Sequence, residues 1–365
     1  MSKKVDKTFL ISFFALLLCG LTVFISASLG IYARDKAQFT SIVFSQMFFG
    51  LFAGLIACFI TAKINYKYWR KFSFYIFLLS IVATLLVFIP GIGVSHGGAS
   101  RWIYIGSLSF QPLEFLKIGF IIYFATWLSE MKEKVQTIKY GLLPFIILIS
   151  IVGAILLKQP DTDSFVIIFI VGLVMYLIGG GKWRHIFLIM MLAVIGVSAL
   201  FFVRPYLLDR LLTFLDPASN PLTSGYQIQQ SMIAVGSGEI FGRGLGQSIQ
   251  KFKFLPESVG DAIFPIAAEE FGFVGSVFII FLFIFFLSRG LKVGRTAQDV
   301  FSRLLVIGIV ILITVQSFIN IASMIGVLPL SGSPLIFFSQ GGTALFFTLA
   351  EVGIIINVSK YRKIV

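Results

Sequence analysis

Charged side chains inside apolar runs are the first residues here whose types and spacing could do chemistry. Glu114 and Lys117 lie three apart in one such run, so on a helix they share a face and can neutralise each other. An ionised side chain at a bilayer centre costs roughly 2.5–3.5 kcal/mol, which makes it a functional hypothesis by default. The alternative is a structural ion pair that locks two helices. Glu351 and the adjacent Glu269 and Glu270 are further candidates, and we expect at least one of the adjacent glutamates to serve packing or a water-filled cavity.

The composition indicates a membrane protein. Of 365 residues, 58% are hydrophobic and 12% are charged, which is too apolar for a water-soluble domain. Apolar runs recur along the whole chain, so we expect one membrane domain over residues 1–365. The net charge of +13 comes from Lys and Arg clusters between those runs. Such clusters orient spans and meet anionic lipid, and we therefore exclude nucleic acid as a partner.

Ten segments approach the ~20 apolar residues that a transmembrane helix needs. The sequence thus predicts an all-α polytopic protein with a long extracytoplasmic loop, residues 204–264, between the seventh and eighth spans. Most Lys and Arg fall in alternate loops and at the ends of the chain, so we expect both termini to be cytoplasmic. The predicted spans are 8–31, 42–64, 72–89, 113–131, 141–157, 164–180, 185–203, 263–288, 304–326 and 338–358.

Short polar motifs between these spans resemble a known family. Residues 97–103 (GGASRWI), 111–117 (QPLEFLK) and 158–161 (KQPD) are similar to signatures of SEDS proteins, and so are 255–257 (LPE), 339–342 (SQGG) and 356–359 (INVS). The motifs come in the family's order over nearly the entire chain, and their form favours the FtsW branch over RodA. After 255–257 the family usually has HTDFIF, whereas this chain has SVGDAIF and keeps the aspartate. The chain also departs from the family at Thr162, Asp163 and Ser164.

The resemblance implies a peptidoglycan glycosyltransferase in the bacterial inner membrane that polymerises lipid II during division or elongation. It also implies partners: a class B penicillin-binding transpeptidase and other division or elongation membrane proteins. No cofactor is certain. A divalent cation, Mg²⁺ or Mn²⁺, held by Asp261 or Asp161 stays open, since no metal-ligand spacing establishes it.

Asp261 is the predicted general base. A sugar hydroxyl is a poor nucleophile near neutral pH, so a carboxylate within hydrogen-bond reach should take its proton. Asp261 lies at the predicted outward end of the eighth span, where a lipid-anchored sugar would be presented. The alternative is a helix N-cap, a position that Asp favours.

The remaining predicted site residues bind substrate. A lipid diphosphate leaves as a stable anion, so the site needs no second acid but does need nearby positive charge. Arg101, Arg210 and Lys117 are the available cations, with a surface anchor as the alternative for the two arginines. Lys117 paired with Glu114 would line the cavity beneath. The family motifs complete the predicted set with Gln159, Asp161, Gln250, Lys251, Glu257 and Ser339.

Two other functions remain open. Polar groups inside spans also suit a flippase that moves lipid II outward, although no repeat symmetry between halves favours alternating access. A non-enzymatic scaffold for the wall-synthesis machinery is the second alternative. A polymerisation assay on purified protein separates the three.

Overall fold

The computed structural model describes residues 5–96, 99–105, 108–217, 224–252 and 254–361. Fourteen α-helices are described, and a π-helical stretch, Ser45–Ala53, joins the second to the third. The helices are α1 Lys7–Tyr32, α2 Lys36–Phe44, α3 Gly54–Lys63, α4 Tyr66–Lys71, α5 Ser73–Leu85, α6 Pro112–Met131, α7 Leu143–Lys158, α8 Thr162–Ile178, α9 Trp183–Val203, α10 Pro205–Leu215, α11 Ser224–Ser237, α12 Ile263–Arg295, α13 Val300–Met324 and α14 Gly342–Ser359.

The prediction of an all-α polytopic membrane protein is confirmed. Eight of the described helical stretches are long and apolar enough to cross a membrane, and two shorter apolar stretches, Ser73–Phe88 and Thr162–Ile178, occupy the other two predicted positions. Large apolar side chains point away from the bundle, for example Phe187 (76% exposed) and Phe273 (67% exposed). Such outward-facing apolar surface is what a lipid solvent requires.

The centre of the bundle is formed by α6, α13 and α14, the most buried of the spans. Small residues allow close approach where α3 meets α14: a side chain on Gly353 would collide with Thr61 and Cys58. Thr61 also donates its hydroxyl hydrogen to the Ala350 carbonyl at 2.8 Å. These contacts are typical of helix packing in membranes, where small residues and interhelical hydrogen bonds replace hydrophobic driving force. The central helices carry five of the buried polar residues described below, Glu114, Lys117, Gln316, Asn320 and Glu351.

Three short strands form a small antiparallel sheet that was not predicted from the sequence. Its three strands, β1 Gly93–His96, β2 Ala99–Ile105 and β3 Leu108–Phe110, pair in the order β1-β2-β3. The strands are too short for alternation of apolar and polar residues to be a clear signal. The predicted loop over residues 204–264 is likewise not structureless, because it contains α10 and α11.

Helix α12 is broken at Gly272, whose backbone (φ 66°, ψ −163°) is not helical. The backbone groups freed by the break bond to residues 239–244, which we call the clasp. Arg243 and Gly244 donate their N–H groups to the carbonyls of Glu269 and Glu270 at 3.0 and 2.9 Å. In return, the N–H groups of Phe273 and Val274 donate to clasp carbonyls at 2.9 and 3.1 Å. The clasp thus satisfies polar groups that hydrocarbon could not.

The tenth span begins later than predicted. The prediction placed its start at Phe338, but α14 begins at Gly342. Residues 335–338 are at most 5% exposed, so these apolar side chains belong to a loop packed into the bundle between α13 and α14. Burial in protein produces the same apolar pattern as a lipid-facing helix, and the sequence alone did not separate the two.

Candidate functional site

Asp261 lies immediately before the N-terminus of α12. Ala262 holds the N-cap position, and no side chain caps this helix. The N-cap alternative for Asp261 is therefore wrong. Its carboxylate does not cap α12.

The surroundings of Asp261 favour proton exchange near neutral pH. Gln227 of α11 donates from Nε2 to Asp261 Oδ1 at 3.4 Å. Burial, followed by the nearby Glu257 carboxylate, raises the pKa of Asp261 to about 7. None of the ion pairs formed by the described residues includes Asp261. A carboxylate with such a pKa and no cation attached has the properties of a general base.

Asn320 on α13 fixes the backbone at Asp261. Its Nδ2 donates to the carbonyls of Asp261 and Ser333, both at 2.8 Å. Asn320 is fully buried, and within the described part of the chain its Oδ1 has no hydrogen-bond partner. Asn320 was not among the predicted site residues. A polar amide inside an apolar span was the signal that could have found it.

Glu114 and Lys117 form the predicted ion pair, with Lys117 Nζ 2.8 Å from Glu114 Oε1. Lys117 also donates to Gln316 Oε1 at 2.9 Å, and Gln316 Nε2 donates to the Pro334 carbonyl at 3.3 Å. Lys117 is only 2% exposed. The pair is therefore linked through Gln316 to the loop between α13 and α14. Glu351 lies close enough to interact electrostatically with both charges.

Arg210 of α10 contacts the same loop through Asp163. Arg210 Nη1 is 3.3 Å from Asp163 Oδ2, and that oxygen accepts the Gly332 N–H at 2.9 Å. The Arg210 side chain is 38% exposed, so it has room to contact a ligand. Residues 332–334 thus connect Arg210, the Asp261 backbone and the Lys117 pair. Asp163, which departs from the family motif, is part of this connection.

Arg101, Gln159 and Asp161 lie together at the corner between α7 and α8. Arg101 Nε is 3.6 Å from Asp161 Oδ2, and its guanidinium also donates to the Pro160 carbonyl. Asp161 caps α8 through the Ser164 N–H at 3.3 Å, and Gln159 Nε2 donates to the Thr84 carbonyl at 3.2 Å. The polar groups of this corner are thus engaged within the protein.

Lys251, Gln250 and Ser339 also make internal contacts. Lys251 is fully buried, with its Nζ 2.7 Å from Glu270 Oε1. The Gln250 N–H donates to Glu269 Oε2 at 3.2 Å, and Ser339 Oγ accepts the Leu335 N–H at 2.8 Å. The structure buries Lys251 and Ser339, two of the predicted substrate-binding residues, and leaves Gln250 half-buried. Glu257, in contrast, is exposed and lines an open groove of about 530 Å³.

No group of three His, Cys, Asp or Glu side chains gathers as a metal cage among the residues that the structure describes. Asp261 and Glu257 are near enough to influence each other electrostatically. Mg²⁺ commonly takes one or two protein carboxylates and completes its shell with water and substrate phosphates. Asp261 or Asp161, the two acids named for such an ion from the sequence, would each supply one carboxylate.

Comparisons with known proteins place the chain in a family. The model of the cell cycle protein family FtsW/RodA/SpoVE matches residues 7–364. Stage V sporulation protein E of Bacillus subtilis is 36% identical over 86% of this chain and 86% of its own length. The probable peptidoglycan glycosyltransferase FtsW of Geobacter metallireducens is 39% identical over 86% of this chain and 84% of its own.

Solved structures agree with these relatives. A chain from a peptidoglycan synthase complex, studied for its coordination of polymerization and crosslinking, superposes with a TM-score of 0.80 at 25% identity over 98% of both chains. The rod shape determining protein RodA of Thermus thermophilus gives a TM-score of 0.71 at 23% identity over 98% of this chain and 97% of its own. By sequence and by fold, this chain belongs to the FtsW/RodA/SpoVE family.

Proposed function

We propose that this chain polymerises lipid II with Asp261 as the general base. The chain is a peptidoglycan glycosyltransferase of cell division or elongation, as its curated relatives are named. One observation carries the assignment of the base: Asp261 takes part in none of the described ion pairs, and its pKa is raised to about 7. A general base whose pKa lies near the working pH is largely deprotonated and still accepts a proton readily.

The reaction follows from this acid and the chemistry of lipid II. The hydroxyl of the acceptor sugar attacks the anomeric carbon of the donor sugar and passes its proton to Asp261. The bond from that carbon to the diphosphate breaks, and the diphosphate departs with the electron pair. Because it departs as a stable anion, no second carboxylic acid is required, unlike in glycosidases. A single displacement inverts the configuration at the donor carbon.

Arg210 is the cation best placed to stabilise the departing diphosphate. It is exposed, it pairs with Asp163, and it is linked through Gly332 to the loop that also holds Asp261. A partly exposed pair such as this one contributes modest stability, so a phosphate can replace Asp163 at low cost. Arginine can then grip two phosphate oxygens at once. Arg101 and Lys117, engaged in internal contacts, hold the surrounding geometry.

A divalent cation is compatible with the same site. Asp261 or Asp161, together with diphosphate oxygens of the substrate, would hold Mg²⁺ or Mn²⁺. The bound ion would supply positive charge at the diphosphate. Loss of activity on chelation, with recovery on adding Mg²⁺ or Mn²⁺, tests this proposal.

The membrane orientation and the partner belong to the same proposal. The chain is a multi-pass membrane protein, and we place both termini in the cytoplasm, which puts Asp261 and Arg210 at the outer surface. Likeness to a chain of a peptidoglycan synthase complex indicates a penicillin-binding protein as partner. We expect a single-span class B transpeptidase and, through it, other division or elongation proteins.

Polymerisation by purified protein given labelled lipid II tests the function. Asp261→Asn should lower the rate by about 10²–10⁴-fold, the usual contribution of a general base, while leaving folding and lipid II binding intact. Glu133→Gln, at an exposed acid distant in sequence from the site, is the matched control and should be fully active.

Three results of these assays would contradict the proposal, each in a different way. Normal polymerisation by Asp261→Asn would show that another group takes the proton. Wild-type protein that moves lipid II across vesicles without forming glycan would establish the flippase alternative. Protein that does neither would establish the scaffold.

A further inference from the structure

An open groove of about 530 Å³ lies beside the segment that leads to Asp261. Three distant parts of the chain build its walls: the turn between α1 and α2, the small sheet, and the segment before Asp261. Glu257, Ser258 and Val259 line it from that last segment. Pockets of about 300–1,000 Å³ are the usual size for small-molecule ligands, so the groove is large enough for two or three sugar rings.

Aromatic and neutral polar side chains face each other across this groove. Trp102 and Tyr104 are alternate residues of β2 and therefore lie on one face of the sheet. Gln38 and Ser41, three apart on α2, share a helix face. All four line the groove. Aromatic rings provide apolar contact area, and a few placed amides and hydroxyls fix the orientation of a ligand.

The charges of the groove do not suit a diphosphate. Arg34 and Glu257 are the charged residues among its described lining. Arg34 Nε donates to the Phe252 carbonyl at 2.8 Å, and its Nη2 donates to the Lys251 carbonyl at 3.3 Å. The one cation is thus committed to the protein, while Glu257 would repel an anion. An uncharged polar ligand with apolar ring faces fits best.

We infer that this groove binds N-acetylated sugar rings of the glycan against Trp102 and Tyr104, with Gln38, Ser41 and Glu257 as hydrogen-bonding groups. This saccharide subsite rests on the proposed function and deepens it. Its place is separate from Arg210, where the diphosphate is proposed to bind.

The position of Asp261 relative to the groove supports this division. Val259 lines the groove, and its carbonyl accepts the Gln340 N–H at 2.7 Å. Two residues later, Asp261 contacts Gln227 and Asn320, which do not line the groove. Asp261 therefore stands between a neutral polar surface and the region of Arg210. A transfer between two bound sugars requires its base at such a junction.

Binding of a soluble, uncharged tetrasaccharide, (N-acetylglucosamine)₄ without lipid or diphosphate, tests the subsite on full-length protein in nanodiscs. Gln38→Ala and Tyr104→Ala should each weaken binding about fivefold to tenfold, since a hydrogen bond or ring contact contributes about 1 kcal/mol. Tyr104 is 55% exposed, so its removal should not disturb folding. Tyr68→Ala, at a similarly exposed tyrosine (58%) outside the groove, should bind as wild type.

Trp102 provides a second, graded readout. Trp102→Ala should weaken binding more than Tyr104→Ala, and Trp102→Phe, which keeps an aromatic face, should recover most of the loss. In the polymerisation assay the groove variants should raise KM while kcat changes less than about twofold, because binding away from the reacting atoms is uniform.

Two results would overturn the subsite. The first is that the Gln38 and Tyr104 variants bind the tetrasaccharide as tightly as wild type does, or that wild type does not bind it at all. The other is competitive displacement of the tetrasaccharide by sugar-free undecaprenyl diphosphate, which would make the groove a diphosphate site. If the groove variants bind the tetrasaccharide normally while Asp261→Asn still lowers polymerisation, the subsite is wrong and the proposed function stands. Groove-dependent tetrasaccharide binding by a protein that forms no glycan keeps the subsite and removes that function.

Discussion

Asp261 and the glutamates inside the bundle are all acids removed from bulk water, yet their surroundings differ. Glu114 and Glu270 each have a lysine ammonium within hydrogen-bond distance, at 2.8 and 2.7 Å. Asp261 accepts hydrogen bonds from the Gln227 amide at 3.4 Å and from nearby backbone N–H groups, and its pKa is raised by burial and by the charge of another carboxylate, Glu257. Glu114 and Glu270 are each held by a buried cation, whereas Asp261 takes part in no ion pair among the described residues.

Neutralising a paired acid should affect stability, whereas neutralising Asp261 should affect activity. Removing one partner of a buried ion pair strands the other charge, which is strongly destabilising. Removing the charge of Asp261 leaves no buried cation without its partner. We therefore expect opposite results from neutralising these two kinds of acid.

Glu270→Gln should give the largest loss of stability, about 3–5 kcal/mol in the free energy of unfolding, because Lys251 stays buried without its partner. Asp261→Asn should leave that free energy unchanged or slightly raised. Thermal unfolding in detergent, followed by tryptophan fluorescence, measures both. The double variant Lys251→Met with Glu270→Leu is the control and should recover most of the loss. Equal destabilisation by Glu270→Gln and Asp261→Asn would remove the distinction between the two acids.

Gly242→Ala should give the next largest loss, about 1–3 kcal/mol, because Gly242 has φ +82° and an added methyl group would collide with the Glu270 carbonyl. Gly246→Ala is a matched control, since Gly246 has φ +81° with nothing within 4 Å of an added methyl group. Both variants carry the strain of a positive φ, so the difference in stability between them measures the steric collision at the clasp. Equal midpoints for the two variants would mean that the close approach at α12 contributes nothing.

Glu257→Gln should give the smallest effect, on the pH dependence. Below pH ~7 the wild-type rate should rise about tenfold per pH unit as Asp261 loses its proton, and above it should level off. Removing the Glu257 charge lowers the pKa of Asp261, so the rise should move to lower pH. We expect a move of less than about one pH unit, since burial raises the pKa more than Glu257 does. Glu133→Gln should leave the profile in place, and a Glu257→Gln profile that coincides with wild type would show that Glu257 does not act on the base.

The sequence predicted what depends on local pattern. Ten helices lie at the predicted spans because hydropathy over ~20 residues reports directly on membrane crossing. The contact of Glu114 with Lys117 followed from their spacing on one helix turn. The roles assigned to Asp261 and Arg210 remain predictions, although the structure places both near residues 332–334.

Contacts between distant parts of the chain could not be predicted. Lys251 was expected to bind substrate, but it pairs with Glu270 on another element, and no spacing rule relates a loop lysine to a helix glutamate. The break at Gly272 also left no signal, since a single glycine is tolerated inside an apolar helix. Asn320 became meaningful only when Asp261 and Ser333 were seen on either side of it.

The clasp has a consequence for biosynthesis. The strand-like exchange between residues 239–244 and the break in α12 needs backbone groups on both sides of Gly272. A chain emerging from the ribosome therefore cannot complete this exchange until the part of α12 beyond Gly272 has entered the bilayer. The Asn320 amide of α13, which holds the Asp261 carbonyl, lies still later in the chain. Both contacts that position the segment around Asp261 are therefore completed late in membrane insertion.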